Sequence, residues 1–162
     1  MRILSVDQSL ARPGLAIVEQ NSETKILEAF SLKHERKATP SQRRIDLVAA
    51  VQELAEKYRP DFVIVERVRT FSKGYLSTRS IITLGSLVAG IIDGLSEDGL
   101  SVFSVDTRAW KSHVLGSPSA TKADAVEFCR SRFGLDLDHD ASDAVCMGLY
   151  ALQPGAKLKK EE

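Results

Sequence analysis

Four acidic residues stand at places where an α/β fold would bring distant parts of the chain together. Asp7 and Glu66 each follow a short apolar run that is typical of a buried strand. Asp140 and Asp143 are three residues apart at the start of a helical pattern, so they project from one face of that helix. If the two strands are adjacent and parallel, Asp7 and Glu66 lie side by side at the edge where open α/β sheets place their sites.

Carboxylates gathered in this way define the chemistry that we expect. Without paired cations they repel one another, and their pKa values rise. A hard divalent cation such as Mg²⁺ removes that cost and prefers oxygen ligands. Two such ions about 3.5–4 Å apart activate a water molecule and stabilise the leaving oxygen of a phosphodiester. The acids therefore predict a site for two Mg²⁺ ions, with Mn²⁺ able to substitute.

Each acid also has a plainer interpretation. Asp7 fits a loop cap. Asp140 and Asp143 fit a helix N-terminus, which the helix dipole favours without any catalytic role. Glu66 is harder to explain in this way, because a charge that ends a fully apolar strand needs a partner. The occurrence of all four acids in this order favours the metal site.

Other residues that could bind a metal are interpreted as structural. Cys129 and Cys146 lack C-x-x-C spacing and lie in helical patterns, which indicates buried reduced thiols. His139 is interpreted as a solvated loop histidine, with an extra ligand or a proton shuttle as the alternative. Asp136 and Asp138 are predicted to be surface acids.

The elements that must position the acids follow the order β-β-β-α-β-α-β-α-α. Strands are predicted at 2–6, 15–19, 25–31, 62–65 and 101–105, and helices at 43–58, 79–95, 121–132 and about 140–153. Gly14 is interpreted as a tight re-entry into the second strand. Thr121 with Asp124 resembles a capping box, and Gly134 ends that helix. This order predicts a mixed five-stranded α/β sheet, a three-stranded antiparallel meander plus parallel strands, with helices on both faces.

Length and composition limit the class of protein. With 162 residues, of which 43% are hydrophobic, the chain fits one domain with a full core, predicted over residues 1–153. The charged residues 154–162 are predicted to form a disordered tail. The formal net charge is zero, so any basic surface for nucleic acid must be a local patch.

Three features predict a soluble cytoplasmic protein. The first residues form a strand pattern without the hydrophobic core of a signal peptide. The longest apolar run, 81–92, is too short to span a bilayer and contains hydroxyl side chains. Reduced cysteines also agree with a reducing compartment.

A basic segment follows Glu66. In it, Arg67, Arg69 and Lys73 surround Phe71 in a predicted loop beside the acids. The cations suit DNA phosphates, and the aromatic ring suits stacking on an unpaired base. The alternative is a solvated basic loop whose aromatic ring packs into the core.

The second predicted helix mixes small and large apolar residues. Its small residues are Gly85, Ser86, Ala89, Gly90 and Gly94. Glycine inside a helix costs about 1 kcal/mol against alanine, so several glycines need a reason. Small residues four apart let another element approach closely, and a helix that is apolar nearly all round is buried on more than one side. Packing within the chain and a dimer contact both fit this pattern.

Four segments resemble the RuvC family of Holliday-junction resolvases, which belongs to the RNase H-like superfamily. They are, in chain order, ILSVDQSLARPGLAIV (3–18), YRPDFVIVE (58–66), VDTRAWKSHVLGSPSATKADAV (105–126) and DASDAVCMGLYAL (140–152). The family pattern is a strand ending in aspartate, a strand ending in glutamate, a lysine-bearing stretch that leads into a helix, and a D-x-x-D helix. The resemblance covers residues 2 to about 152, and the order and spacing together make it fairly specific.

The resemblance implies an RNase H-like fold and a Mg²⁺-dependent endonuclease that resolves four-way junctions and other branched DNA. The acids at positions 7, 66, 140 and 143 would be the metal ligands. Lys111 and Lys122 would approach the DNA phosphates near the scissile bond. The resemblance also implies a homodimer in a bacterial or phage-infected cell. It favours the second helix, over 81–95, as the centre of the dimer contact, where a larger side chain at Gly90 would overpack a close crossing.

The segment after Asp7 departs from the bacterial housekeeping pattern of the family. Gln8-Ser9 stands where those enzymes usually have Pro-Gly, and the glycine-rich turn is reduced to Gly14. This departure favours a phage-type or otherwise diverged member. It leaves open the need for a branch-migration partner, the junction selectivity and the cleavage-sequence preference.

Three rival functions share parts of the pattern. An RNase H that acts on RNA–DNA hybrids would use the same metal chemistry. A non-catalytic junction-binding relative is disfavoured because all four acids are present. An actin-like phosphotransferase needs two such domains and a glycine-rich phosphate loop, which this sequence lacks.

Overall fold

A six-stranded mixed sheet forms the centre of the computed structural model, which describes residues 1–68 and 77–162. In chain order the strands are β1 (Arg2–Asp7), β2 (Gly14–Gln20), β3 (Thr24–Ser31), β4 (Phe62–Glu66), β5 (Val102–Val105) and β6 (Leu158–Lys160). Their spatial order is β3-β2-β1-β4-β5-β6. The antiparallel meander of β1 to β3 and the parallel strands β1, β4 and β5 confirm the predicted mixed sheet.

The pairing of β1 decides where the acids lie. On one side β1 pairs antiparallel with β2, and Asp7 stands opposite Gly14. On the other side it pairs in parallel with β4, and Val6 stands opposite Val65. Because parallel strands run in the same direction, the ends of β1 and β4 that carry Asp7 and Glu66 meet at one edge, as predicted.

Helices cover both faces of this sheet, as predicted. They are α1 (Pro40–Tyr58), α2 (Thr78–Leu95), α3 (Thr107–Val114), α4 (Lys122–Phe133) and α5 (His139–Ala151). Helices α1 and α2 pack on the face to which β1 contributes Leu4 and Val6. Helices α3, α4 and α5 pack on the opposite face, to which β1 contributes Ile3. Alternate strand residues point to opposite faces, so one strand serves both cores.

Polar caps set the ends of the helices around the site. Thr121 and Asp124 form the predicted capping box of α4, and Gly134 ends that helix with a φ of 68°. Helix α3 is an element that the apolar pattern did not predict, because its 8 residues are too few to show a periodicity. Asp106 caps it by accepting hydrogen bonds from two backbone N–H groups.

The end of the chain differs from the prediction of a five-stranded sheet with a disordered tail. Residues Leu158–Lys160 form β6, which pairs antiparallel with β5. The Glu161 N–H donates to the Val102 carbonyl at 2.9 Å, and Ser104 Oγ donates to the Glu161 carboxylate. Pairing satisfies a sheet edge that would otherwise expose its backbone groups, which explains why a short charged segment is ordered there.

Two glycines of α2 have their packing partners within the chain. A Cβ built on Gly90 would lie 3.3 Å from a Val48 methyl group of α1, and one built on Gly94 would lie 2.6 Å from the other. The close crossing is therefore between α1 and α2. Close packing at Gly90 is thus explained within the chain, and the dimer contact at α2 stays a prediction.

The outward side of α2 is apolar and open. Ile82 is 66% exposed, Ala89 is exposed, and a Cβ built on Gly85 would meet no atom of the described residues within 4 Å. These positions share one helix face because they are spaced by three and four residues. Among the helices of the described residues, α2 alone is long and apolar enough to cross a membrane, by length and composition only.

Candidate active site

The acids at positions 7, 66, 140 and 143 converge at the edge shared by β1 and β4. Asp7 and Glu66 end those strands, and Asp140 and Asp143 lie in the first two turns of α5, which packs on β1 and β2. Part of Asp7 reaches solvent, yet burial raises its pKa well above the usual range. The negative charges of Glu66 and Asp143 raise this pKa further. The four side chains therefore share one electrostatic environment, as predicted.

Asp143 is the most buried acid of this group, with 7% of the residue exposed. Burial raises its pKa to about 6, although the nearby charges of Lys122 and Lys111 act in the opposite direction. Its Oδ1 atom is buried and has no hydrogen-bond partner among the described residues. A buried carboxylate oxygen without a partner is costly and is suited to a proton or a cation. Oxygen ligands of this kind fit a hard divalent cation.

Lys122 supplies a positive charge at the open side of the cluster. Its Nζ donates to Asp140 Oδ1 at 2.8 Å, and this hydrogen bond raises the pKa of the lysine. Its charge also acts on Asp7 and Asp143. Within the described residues no three His, Cys, Asp or Glu side chains stand at metal-ligand spacing. Asp140 uses its Oδ1 atom to bind the lysine.

Lys111 is half-buried and is held by contacts within the chain. Its Nζ donates to the Ala120 carbonyl at 2.7 Å and stands 5.5 Å from the centroid of the Trp110 ring. The charge of Lys111 lowers the pKa of Asp143. The two lysines predicted from sequence are thus both within electrostatic reach of the acids, but only Lys122 has an exposed side chain.

Glu66 has two partners that sequence reasoning missed. The indole Nε1 of Trp110 donates to Glu66 Oε1 at 3.4 Å. The Gln8 side chain binds the Glu66 backbone: its Oε1 accepts from the Glu66 N–H at 2.8 Å, and its Nε2 donates to the Glu66 carbonyl. Gln8 and Trp110 are both buried. The only feature of the sequence that could have indicated these contacts is that Gln8 is next to Asp7 and Trp110 is next to Lys111.

The N-terminus of α5 is fixed by Asp138, which the sequence analysis placed among the surface acids. Asp138 caps the helix by accepting from the Ala141 N–H at 3.1 Å, and it also binds Ser31 and Arg12. Burial raises the pKa of Asp138, but these hydrogen bonds and the Arg12 charge outweigh it, so the pKa lies below its usual value. Asp138 is therefore a partly exposed helix cap and not the free surface acid that was predicted, and it orients the helix that carries Asp140 and Asp143.

The remaining predictions for this region agree with the structure, except that His139 is the first residue of α5 and not a loop residue. Asp136 is 89% exposed in its side chain, and His139 is exposed. Cys129 and Cys146 are free and fully buried. These residues are thus structural or solvated, as predicted.

Close packing, and not the predicted tight turn, explains why position 14 is a glycine. A Cβ built on it would lie 1.9 Å from the Asp140 carbonyl oxygen. Its φ is not positive, so the backbone conformation does not require glycine there. The first turn of α5 therefore packs directly on the backbone at the start of β2, and a side chain at position 14 would displace the backbone of Asp140.

The predicted DNA-binding segment is described in part. Arg67 is half-buried, and its Nε donates to Ser104 Oγ at 3.4 Å, which links it to the β6 side of the sheet. It borders a groove of about 640 Å³ that also reaches Glu66 and the open side of α2. Arg69, Phe71 and Lys73 lie outside the described residues.

The sequence of the chain matches a protein family over most of its length. The family described as "Crossover junction endodeoxyribonuclease RuvC" matches residues 3–150. The crossover junction endodeoxyribonuclease RuvC of Akkermansia muciniphila is 27% identical over 162 positions, covering 98% of this chain and 95% of the relative. The protein of that name from Ralstonia pickettii is 28% identical over 161 positions, covering 98% and 87%.

The fold agrees with the same family. Thermus thermophilus RuvC in complex with Holliday junction substrate matches with a TM-score of 0.78 at 20% identity, covering 99% of each chain. This similarity confirms the predicted RNase H-like fold. The family match extends over the strands and helices that carry all four acids, and the chain therefore belongs to the crossover junction endodeoxyribonuclease RuvC family.

Proposed function

We propose that this chain is a Mg²⁺-dependent endonuclease that resolves Holliday junctions and other branched DNA by paired phosphodiester hydrolysis. Members of its family are metal-dependent crossover junction endonucleases. The observation that carries the proposal for this chain is the buried, unpartnered Oδ1 of Asp143 beside Asp7, whose pKa is raised well above its usual range. Such acids are unfavourable as free carboxylates and become favourable around divalent cations.

The four acids would hold the metal. Asp7, Glu66, Asp140 and Asp143 supply carboxylate oxygens for two Mg²⁺ ions, and Mn²⁺ would substitute because it accepts the same oxygen ligands. When bound, the metal activates a water molecule and stabilises the leaving oxygen of the phosphodiester. Because the pKa of Asp143 is about 6, metal binding near that pH releases its proton.

The lysines have separate roles in this proposal. Lys122 is exposed and bound to Asp140, so it exchanges that carboxylate for a phosphate oxygen of the DNA near the scissile bond. Lys111 remains hydrogen-bonded to the Ala120 carbonyl and contributes a fixed positive charge beside Asp143. Positive charge held at this position stabilises the negative charge that develops on the phosphate. Arg67, Arg69, Phe71 and Lys73 are proposed to contact the DNA beyond the scissile bond.

Paired incision requires two copies of the site. Four-way junctions present two opposed strands related by symmetry, which a two-fold homodimer matches with one site for each strand. The face of α2 that carries Ile82, Gly85 and Ala89 is proposed as the dimer contact, because it is apolar and open to solvent. Glu66, Gly85 and Ala89 line the same groove, so the proposed contact lies next to the site.

A cleavage assay on three substrates tests the proposal. We expect Mg²⁺-dependent cutting of a four-way junction at opposed positions, weaker cutting of a flap, and none of an RNA–DNA hybrid duplex. EDTA should stop all cutting. Preferred cutting of the hybrid would instead indicate RNase H activity, and junction binding without cutting would indicate a non-catalytic relative.

A further inference from the structure

The contact between Gln8 and Glu66 continues the pairing of two strands beyond its last backbone rung. The parallel register of β1 and β4 ends at Val6 opposite Val65, one residue before the acids. Beyond that point the Glu66 N–H and carbonyl are both bound by the side-chain carboxamide of Gln8. The carboxamide therefore takes the place that the backbone of β1 would otherwise fill.

The burial of Gln8 depends on this contact. The residue is 6% exposed, and an amide group removed from water is costly unless it is hydrogen-bonded. Its oxygen accepts one bond and its nitrogen donates another, both to the backbone of one residue. Because both bonds join one carboxamide to one residue, a shift of the Glu66 backbone would break both of them. The Gln8 side chain therefore restrains the position of Glu66.

Glu66 is held a second time through its carboxylate. Trp110 of α3 donates to Oε1 at 3.4 Å, and Trp110 is itself buried. The backbone of Glu66 is thus fixed by a residue that follows β1, and its carboxylate is fixed by α3. Since Gln8 is also the neighbour of Asp7, one residue joins the two strand ends that carry these acids.

We propose that Gln8 is a positioning residue, which sets the place of the Glu66 carboxylate relative to Asp7 for metal binding. This inference rests on the proposed function, in which both acids are metal ligands. Partners that orient a metal ligand typically change metal affinity by 10- to 100-fold when they are removed. A role in folding alone would change stability without changing the affinity for metal.

The test measures Mn²⁺ binding without DNA, by calorimetry or by the spin resonance of the free ion. Gln8→Met keeps the length of the side chain and removes both hydrogen bonds. We expect its Mn²⁺ affinity to fall on the order of tenfold, and the Mg²⁺ concentration for half-maximal cleavage to rise by a similar factor. The exchange of the Glu66 amide hydrogen should also become about tenfold faster, because it loses its acceptor.

Gln52→Met is the matched control. The Gln52 amide likewise donates to a backbone carbonyl, that of Gly94, at 2.8 Å, but it lies between α1 and α2 and away from the acids. Its loss should leave the affinity for Mn²⁺ unchanged. If Gln8→Met does not fold, Gln8→Asn replaces it, since that side chain stays polar but is one methylene too short to bind both groups.

Glu66→Gln separates the failure of this inference from the failure of the proposed function. If Glu66→Gln loses Mn²⁺ binding while both folded Gln8 variants bind like the unaltered chain, Gln8 is not a positioning residue. If Glu66→Gln itself binds Mn²⁺ normally, Glu66 is not a ligand and the proposed metal site is wrong. An equal loss of affinity in Gln52→Met would also overturn the inference, because the effect would then reflect stability alone.

Discussion

Helices α5 and α2 are both apolar and glycine-containing, but their surroundings are opposite. In α5 every residue from 141 to 151 is buried against the sheet and against α3 and α4. In α2 four residues are buried, and Ile82 is 66% exposed on the outer side. An apolar helix enclosed by its own chain fixes the acids that it carries. An apolar helix left open on one face is suited to contact another molecule.

The largest effect is expected from Asp143, the buried acid of α5. Asp143→Asn removes one proposed ligand, and cleavage should fall at least on the order of 10³-fold. Mg²⁺ should raise the melting temperature of the unaltered chain and have little effect on the variant. Asp136→Asn changes an exposed acid and is the control. Near-normal cutting by Asp143→Asn would exclude this residue from the site.

The same variant gives a prediction for pH dependence in EDTA. An unfolded aspartate titrates near 3.9, whereas the folded pKa of Asp143 is about 6, so the folded state favours the protonated form. The stability that this group contributes is present below about pH 4 and is lost as pH rises through about 6. Asp143→Asn should therefore match the unaltered chain at pH 4 and exceed its unfolding free energy by roughly 1–3 kcal/mol above pH 7. Denaturant unfolding at several pH values measures this difference.

The next effect concerns Lys122, which binds Asp140 at the start of α5. Lys122→Ala should lower the cleavage rate about 10²-fold, and it should affect junction affinity less, if the lysine stabilises charge at the scissile phosphate. Lys57→Ala is the control, because Lys57 forms an ion pair of the same 2.8 Å length with Glu28. A drop in affinity and in its salt dependence, with an unchanged rate, would place Lys122 on the DNA backbone instead.

Alanine substitutions at Gly14, which packs on α5, and at Gly85, which lies in α2, should show the difference in packing between the two helices. Gly14→Ala forces a Cβ against the Asp140 carbonyl and should destabilise the chain by about 1–3 kcal/mol. Gly85→Ala adds a methyl group in open space on α2 and should stabilise the monomer by up to about 1 kcal/mol. Thermal unfolding at low protein concentration compares the two. Equal effects would contradict the difference in packing.

The smallest effect on folding is expected on the open face of α2. Ile82→Glu should change the unfolding free energy by no more than about 0.5 kcal/mol, because the side chain is exposed. It should nevertheless give a monomer in light scattering that nicks junctions on one strand at a time. Ile45→Glu, at another exposed isoleucine on α1, should remain dimeric. A dimer of the Ile82 variant that still cuts in pairs would place the contact elsewhere.

The sequence was sufficient to predict which acids meet, because that result depends on regular rules. Asp7 and Glu66 end apolar runs, and parallel strands bring such ends to one edge. Asp140 and Asp143 follow from helical spacing. The capping box of α4 was predictable for the same reason, since Thr121 and Asp124 are neighbours in the chain.

The partners of those acids could not be predicted, because they are far away in the sequence. Gln8 and Glu66 are separated by 58 residues, and Trp110 and Glu66 by 44. Neither contact has a periodicity or a local motif. Asp138 was misjudged because its partner Ser31 is 107 residues away. Strand β6 was missed since a three-residue charged segment becomes a strand only where an edge is available.

The packing of α5 on β1 and β2 has a consequence for when the chain becomes active. Asp7 lies in the first strand and Asp143 in the last helix, so the cluster closes only after contacts of high sequence separation have formed. Such contacts slow folding, because the chain must close a long loop before it gains any packing energy. A chain emerging from the ribosome therefore carries its acids apart, and the proposed site is complete only when α5 docks.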